Sequence, residues 1–305
     1  MAIVEAIKRE SRPRRVRGSR LGRLAIYVVL IAWTLICLFP IYWAFSTSFK
    51  LAPAIMQGKL IPFVDYEPAW RGWDSLGLSP RMLGEPSSTR EEFLLRFRNS
   101  AFCAIFSTSL AVLMGSCVAY GLSRFNYRFG FMRNSDISFF FLSQLIMPPV
   151  VLALPFLVVY NNLHLLDTLT GLVILYTLSV LPIAVWIMYD QFNAIPTELD
   201  EAAYIDGLSI WGAFLQIVLP LAVPGMIASF MLGLLLTWNE YFFAAMLTSS
   251  DAKTLPIMLA SQIGSQNINW WTMAAIASTI IAPLVIAGIL LEKYIVGGLS
   301  SGAIK

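Results

Sequence analysis

Charge is scarce in this chain. Of 305 residues only 13% are Asp, Glu, Lys or Arg, and 58% are hydrophobic, whereas soluble domains carry about 25% charged residues. The mean hydropathy is +0.72. These values exclude a disordered or collagen-like chain, and a net charge of +3 is too small for a nucleic-acid binder. Histidine is nearly missing: His164 stands alone and leaves little for His-based catalysis or a metal site. The three cysteines, Cys37, Cys103 and Cys117, fall inside apolar runs, so no disulfide framework is implied. No G-x-x-x-x-G-K-[ST] run is present to cradle nucleotide phosphates. The lack of paired intramembrane acids and of a Gly-x-Ser-x-Gly run counts against an intramembrane enzyme. The lack of ionisable relay groups near a bilayer midplane counts against a secondary transporter.

What is abundant is long apolar sequence. Charge-free stretches of 26, 25, 30, 22, 33 and 38 residues lie between Arg23 and Lys50, Arg98 and Arg124, Asp136 and Asp167, Asp167 and Asp190, Asp206 and Glu240, and Lys253 and Glu292. A helix of about 20 residues crosses the hydrocarbon core. Six helical spans are therefore expected, at 24–48, 99–122, 137–160, 169–189, 221–247 and 271–293, in an all-α polytopic membrane protein. Backbone satisfaction in lipid favours helices, and the alternating ten-residue strands of a barrel are missing.

The division that follows is a basic tail 1–23, a first span 24–48, a loop 49–98, a five-helix core 99–293 and a tail 294–305. Thirteen Lys and Arg fall on the side of both termini and eight on the other. The positive-inside rule then makes both termini cytoplasmic and 49–98 external. The tail's basic residues read as a topology signal that also touches anionic lipid. The prolines and glycines of 49–98 suggest a compact loop with turns. Tyr42-Trp43 and Trp270-Trp271 are expected at the membrane interfaces.

One inner segment breaks the charge rule. Asp190–Leu219 has no Lys or Arg but five acids: Asp190, Glu198, Asp200, Glu201 and Asp206. Pro196 and the acids after it read as a helix start, Gly207 as a helix stop, and Ser209 as the cap of a second segment that ends at Leu219-Pro220. Ala202 and Ala203 would let another surface approach closely. A helix over 197–207 inside the segment 190–219 is thus a docking element for a cytosolic partner.

Glu201-Ala202-Ala203, Gly207 and Ile217-x-Leu219-Pro220 stand at the spacing of the signature of ABC-importer permease subunits. Leu38-Phe39-Pro40, Ser48-Phe49-Lys50, Asn99-Ser100, Ala119-Tyr120-Gly121-Leu122-Ser123-Arg124, Pro148-Pro149, Trp238-Asn239-Glu240-Tyr241 and the closing run Gly298–Lys305 extend the likeness over nearly the whole chain. The chain resembles the six-span permease subunit of the maltose-type carbohydrate importers; the loop near 66–96 departs from that pattern. The resemblance implies a type I ABC importer transmembrane fold in the bacterial inner membrane, importing a sugar or related polyol or sugar derivative. It implies a second homologous permease subunit, two ATP-binding subunits and an external solute-binding protein. No cofactor would sit on this chain, and ATP and Mg would be bound by the partner subunits. Glu201, Ala202, Ala203, Asp206, Gly207, Leu219 and Pro220 would couple to the ATPase.

Pathway candidates are Gln144, Pro148, Asn239, Glu240 and Tyr241. Glu240 reads either as a pathway or outer-gate contact or as an inter-helix hydrogen-bond anchor near the outer interface, because an ionisable group at that depth faces protein or water. Pro148-Pro149 reads either as a gating hinge or as a simple kink. In Thr248–Asn269, Gln262, Gly264, Ser265 and Gln266 either enter the binding protein's cleft or form a solvated hairpin.

Overall fold

The structure is a computed structural model that describes residues 20–130, 132–264 and 268–300. The expectations for the basic tail up to residue 19, for Ser265 and Gln266, and for residues 301–305 lie outside the described residues. In chain order the helices are α1 (Arg20–Thr47), α2 (Ala52–Met56), α3 (Arg71–Asp74), α4 (Ser88–Arg124), α5 (Asn134–Gln144), α6 (Pro149–Asn162), α7 (Leu169–Asn193), α8 (Glu198–Ile205), α9 (Ile210–Ala213), α10 (Leu219–Leu221), α11 (Val223–Trp238), α12 (Phe242–Leu247), α13 (Leu255–Ala260) and α14 (Trp270–Ser300). A π-helical turn, Phe214–Val218, joins α9 to α10. A hairpin of β1 (Arg128–Phe129) and β2 (Met132–Arg133) joins α4 to α5.

Four stretches, Leu21–Thr47, Ser88–Arg124, Leu169–Asn193 and Trp270–Lys293, are long and apolar enough to cross a bilayer. Two further helix pairs are long and apolar enough only when each pair is taken together, and both pairs are bent. The α5 and α6 helices meet at 90°, and the 210–221 stretch meets α11 at 74°. The unbroken span expected at 137–160 is therefore corrected, and so is that at 221–247, where α11 ends at Trp238 and α12 starts at Phe242. Pro148 is the extended N-cap of α6, with Pro149 in its first turn, so the proline pair starts a new helix rather than kinking one. Pro224 likewise lies in the first turn of α11. Two further boundaries move. Helix α4 begins at Ser88, so 88–98 is helix rather than loop, and α14 continues through 294–300, where a tail was expected.

The core is built around α4 and α7, which pack so closely that a Cβ on Gly115 would lie 2.9 Å from the Ala184 Cβ. Against lipid, where apolar burial between helices has little driving force, small residues and hydroxyls hold spans together. Accordingly Thr108 and Thr237 share a hydroxyl contact of 3.2 Å, and the Thr177 hydroxyl donates to the Ser107 carbonyl at 3.3 Å. The α11 and α14 helices complete this body, joined by the Trp238 Nε1–H donating to the Ile280 carbonyl at 3.1 Å. By contrast, none of the apolar window of α1 is buried.

Residues 48–87 fold back onto the ends of α1 and α14. Trp73 Nε1–H donates to the Ser48 hydroxyl at 3.1 Å, and Ser75 and Thr272 hydroxyls meet at 2.7 Å. Lys50 is fully buried, its Nζ 4.0 Å from the Trp43 ring centroid and 5.1 Å from that of Tyr66. Burial pushes the Lys50 ammonium below its ordinary range, and the Asp65 charge partly offsets this. Trp43 and Trp271, expected as interface anchors, thus face this segment; the Trp271 ring lies 4.8 Å from the Arg71 guanidinium.

Candidate functional site

The signature residues form a short helix with two unlike faces. Glu198, Asp200 and Glu201 crowd the first turn of α8, where the helix dipole favours negative charge. Gly207 at φ +86° ends it: Leu208 N–H reaches back to the Ala203 carbonyl at 3.0 Å and Gly207 N–H to that of Tyr204 at 3.1 Å, the Schellman arrangement. The Ser209 hydroxyl then accepts from Gly212 N–H at 3.2 Å and opens α9. The helix–stop–helix order agrees with the sequence expectation.

Glu201, Ala202, Asp206 and Gly207 are all exposed. Ile205, which sequence reasoning did not select, is 86% exposed beside them. Ala203 is the correction: it is buried at 1% and packs toward the chain's own core, so it is closed to a partner. Leu219 is half-buried and Pro220 exposed, in the short α10 before the bend.

The inner face carries a site that the charge count concealed. Asp200 is 4% exposed. It accepts from the Tyr120 hydroxyl at 2.6 Å and from Arg124 Nε at 2.8 Å. The same guanidinium donates to the carbonyls of Phe192 at 3.1 Å and Ile195 at 3.0 Å, at the end of α7. The Tyr120 ring lies tilted at 4.6 Å from Phe214 of the π-helical turn and meets Phe192 edge-on at 5.8 Å. The ion pair therefore ties α8 to α4 and to the end of α7, and the Tyr120 ring extends the contact to the π-helical turn. In the sequence Tyr120 and Arg124 stand within the run 119–124, and Asp200 lies three residues before the buried Ala203, on the same face of α8.

Near Asn99, which lies 25 positions from Arg124 along α4 and so about 38 Å away, Asp167 forms a second clasp. Its carboxylate accepts from the backbone N–H of Ser249, Ser250, Asp251 and Ala252 at 3.0–3.2 Å, and from the hydroxyls of Ser249 and Ser250 at 3.0 and 2.7 Å. Burial alone would raise its pKa, but these hydrogen bonds outweigh it and hold the carboxyl well below the usual range. Asn99 Nδ2 donates to the carbonyls of Asp251 and Lys253, and the Ser100 hydroxyl accepts from Leu255 N–H at 2.8 Å. The Asn99-Ser100 pair thus holds the same loop.

The pathway candidates are less gathered. The two Glu240 oxygens accept from Phe243 and Ala244 N–H at 2.8 and 3.1 Å, which caps α12; Asn239 Nδ2 donates to the Leu235 carbonyl at 2.8 Å. Tyr241 is 47% exposed, and Gln144 and Pro148 are exposed at the α5–α6 break. No hydrogen bond joins Gln144 or Pro148 to residues 239–241 among the described residues. Gln262 Nε2 donates to the Met258 carbonyl at 3.2 Å, and Gly264 is exposed on the hairpin closed by the Ile263–Ile268 bridge. No cluster of metal-ligand residues occurs among the described residues.

Comparison with known proteins gives a consistent result. Residues 107–300 match the family described as binding-protein-dependent transport system inner membrane component. The trehalose/maltose transport system permease protein MalG of Thermococcus litoralis is 30% identical, over 95% of this chain and 99% of its own. The trehalose transport system permease protein SugB of Mycobacterium tuberculosis is 30% identical, over 88% and 92%. Among solved structures, a subunit of a bacterial ABC transporter involved in the import of the acidic polysaccharide alginate superposes with a TM-score of 0.69, at 22% identity, over 93% of this chain and 99% of that one. That likeness is one of fold.

Proposed function

The chain belongs to the family of inner-membrane components of binding-protein-dependent transport systems, and from that premise we propose that it forms half of the pathway of an ATP-driven importer for a sugar, a polyol or a sugar derivative. A multi-pass permease subunit that works with partner subunits, and not an enzyme, is what family membership itself entails. The sugar reading is supported by the relatives named for trehalose and maltose transport. The proposed partners are a second, homologous permease subunit, two ATP-binding subunits that carry ATP and Mg, and an external binding protein. The signature end faces the cytoplasm, with both termini.

The observation that carries the coupling role is the division of α8 into two faces. Glu201, Ala202, Ile205, Asp206 and Gly207 are open to a partner, while Asp200 on the opposite face is bonded into the spans. A cleft on the ATPase subunit that grips the open face moves α8. The Arg124–Asp200 pair passes that displacement to α4 and to the end of α7, and the 210–221 stretch passes it to α11. This is a rigid-body transmission between nucleotide-driven states. On the far side, the α5–α6 break with Gln144 and Pro148, together with Asn239, Glu240 and Tyr241, lines the path. Gln262, Gly264, Ser265 and Gln266 contact the binding protein.

Replacing Glu201 by Lys, or Gly207 by Trp, is expected to abolish co-purification of the ATP-binding subunit while membrane insertion stays normal. Recovery of that subunit at wild-type yield with both variants refutes the docking role. The substrate class is tested separately, by calorimetric binding of a panel of sugars, polyols and sugar sulfonates to the external binding protein.

A further inference from the structure

The β1–β2 hairpin places two arginines where like charges are costly. Arg128 and Arg133 are direct cross-strand partners. Such neighbours lie about 4.5–5.5 Å apart at Cβ, and equal charges there destabilise the pair. Both are exposed, and neither forms an ion pair among the described residues. The nearest acid in sequence, Asp136, is engaged by its Oδ2 with the Arg133 backbone N–H at 2.8 Å. The hairpin is nevertheless held firmly. Asn134 accepts from Tyr127 N–H at 2.8 Å and donates to the carbonyls of Leu122 and Phe125 at 2.9 and 2.6 Å, which fixes the hairpin to the end of α4.

We propose that the Arg128–Arg133 pair is a clamp for the phosphate of an anionic phospholipid headgroup, at the membrane surface on the signature end of the bundle. Two guanidinium forks on one face match a phosphate's oxygens, and a bridging anion removes the like-charge penalty. The surroundings favour lipid over a protein partner. Tyr127 is 46% exposed, and Phe139 and Phe140 of the adjoining α5 are 67% and 56% exposed, as expected beside the headgroup level of a bilayer. A partner that complements the acidic open face of α8 must be basic, and it would repel this pair.

The test uses the chain co-purified with its partner subunits, in nanodiscs of phosphatidylcholine with or without phosphatidylglycerol. The wild type gains thermal stability from phosphatidylglycerol. Arg128→Gln combined with Arg133→Gln loses more than half of that gain. Arg128→Glu creates an opposite-charge cross-strand pair, so its melting temperature rises in phosphatidylcholine alone and no longer responds to the anionic lipid. The proposal is overturned if the wild type shows no gain, or if the gain survives in both variants. It is also overturned if inorganic phosphate reproduces the gain in neutral discs, which makes the ligand a soluble anion. Release of the ATP-binding subunits by the variants whatever the lipid overturns it too, because the pair is then a protein contact.

Discussion

Asp200 and Asp167 solve the same problem at opposite ends of the molecule by different means. Each pins a connecting segment to a chain region more than 70 positions away. Asp200 is buried and neutralised by a guanidinium whose remaining donors hold the end of a neighbouring span. Asp167 is half-exposed and meets no cation among the described residues; successive backbone N–H groups and two serine hydroxyls surround it. An ion pair with several elements hanging on one fork resists displacement as a unit, which suits the coupling role proposed for that end. A carboxylate in a ring of amides fixes the shape of one loop, which suits an end that presents a constant surface.

The largest effect should come from breaking the inner clasp. Arg124→Met leaves a buried carboxylate unpaired and should cost about 3–5 kcal/mol, read as loss of folded protein in detergent melts. The double variant Arg124→Met, Asp200→Leu removes both charges and should recover most of that stability, yet leave transport uncoupled from ATP hydrolysis; restored coupling would show that the pair is structural only. Asp167→Asn replaces an acceptor-only group with one that also donates, and should cost about 2–3 kcal/mol from weakened charge-assisted bonds, with coupling intact in what remains folded. Gly207→Ala has room for its Cβ but not the φ for it. It should cost about 1–2 kcal/mol and slow transport by loosening the α8–α9 turn.

The smallest effect is that of pH. The Asp167 carboxyl is held below its ordinary pKa, so its contribution is complete above an unfolded value of about 4 and fades only as pH falls toward the folded one. Melting temperatures between pH 5 and 8 should therefore show no step from this group. A step near neutral pH that disappears in Asp167→Asn would contradict the amide-ring description.

The signature helix was legible because its information is local. Glu201, Gly207 and Ser209 act within one turn of themselves, so spacing along the chain is spacing in space. Asp200 was legible only as one of five acids, since nothing nearby in sequence tells which of them turns inward to meet Arg124. Ala203 was misassigned for the same reason: composition made it small, and only packing made it inaccessible. The unbroken span expected through Glu240 failed because apolar length does not record whether the helix continues. Here α11 ends at Trp238, and Glu240 caps the next helix.

The sequence by itself determined how many apolar stretches there are, how long each is and where the signature helix starts and stops, because transfer to lipid and helix capping are properties of consecutive residues. The tertiary structure alone decided where two of those stretches break, which acid is buried and which loops are clasped. Those outcomes depend on hydrogen bonds and close approaches between helices far apart in the chain, and such a bond has no signature until both partners are in place.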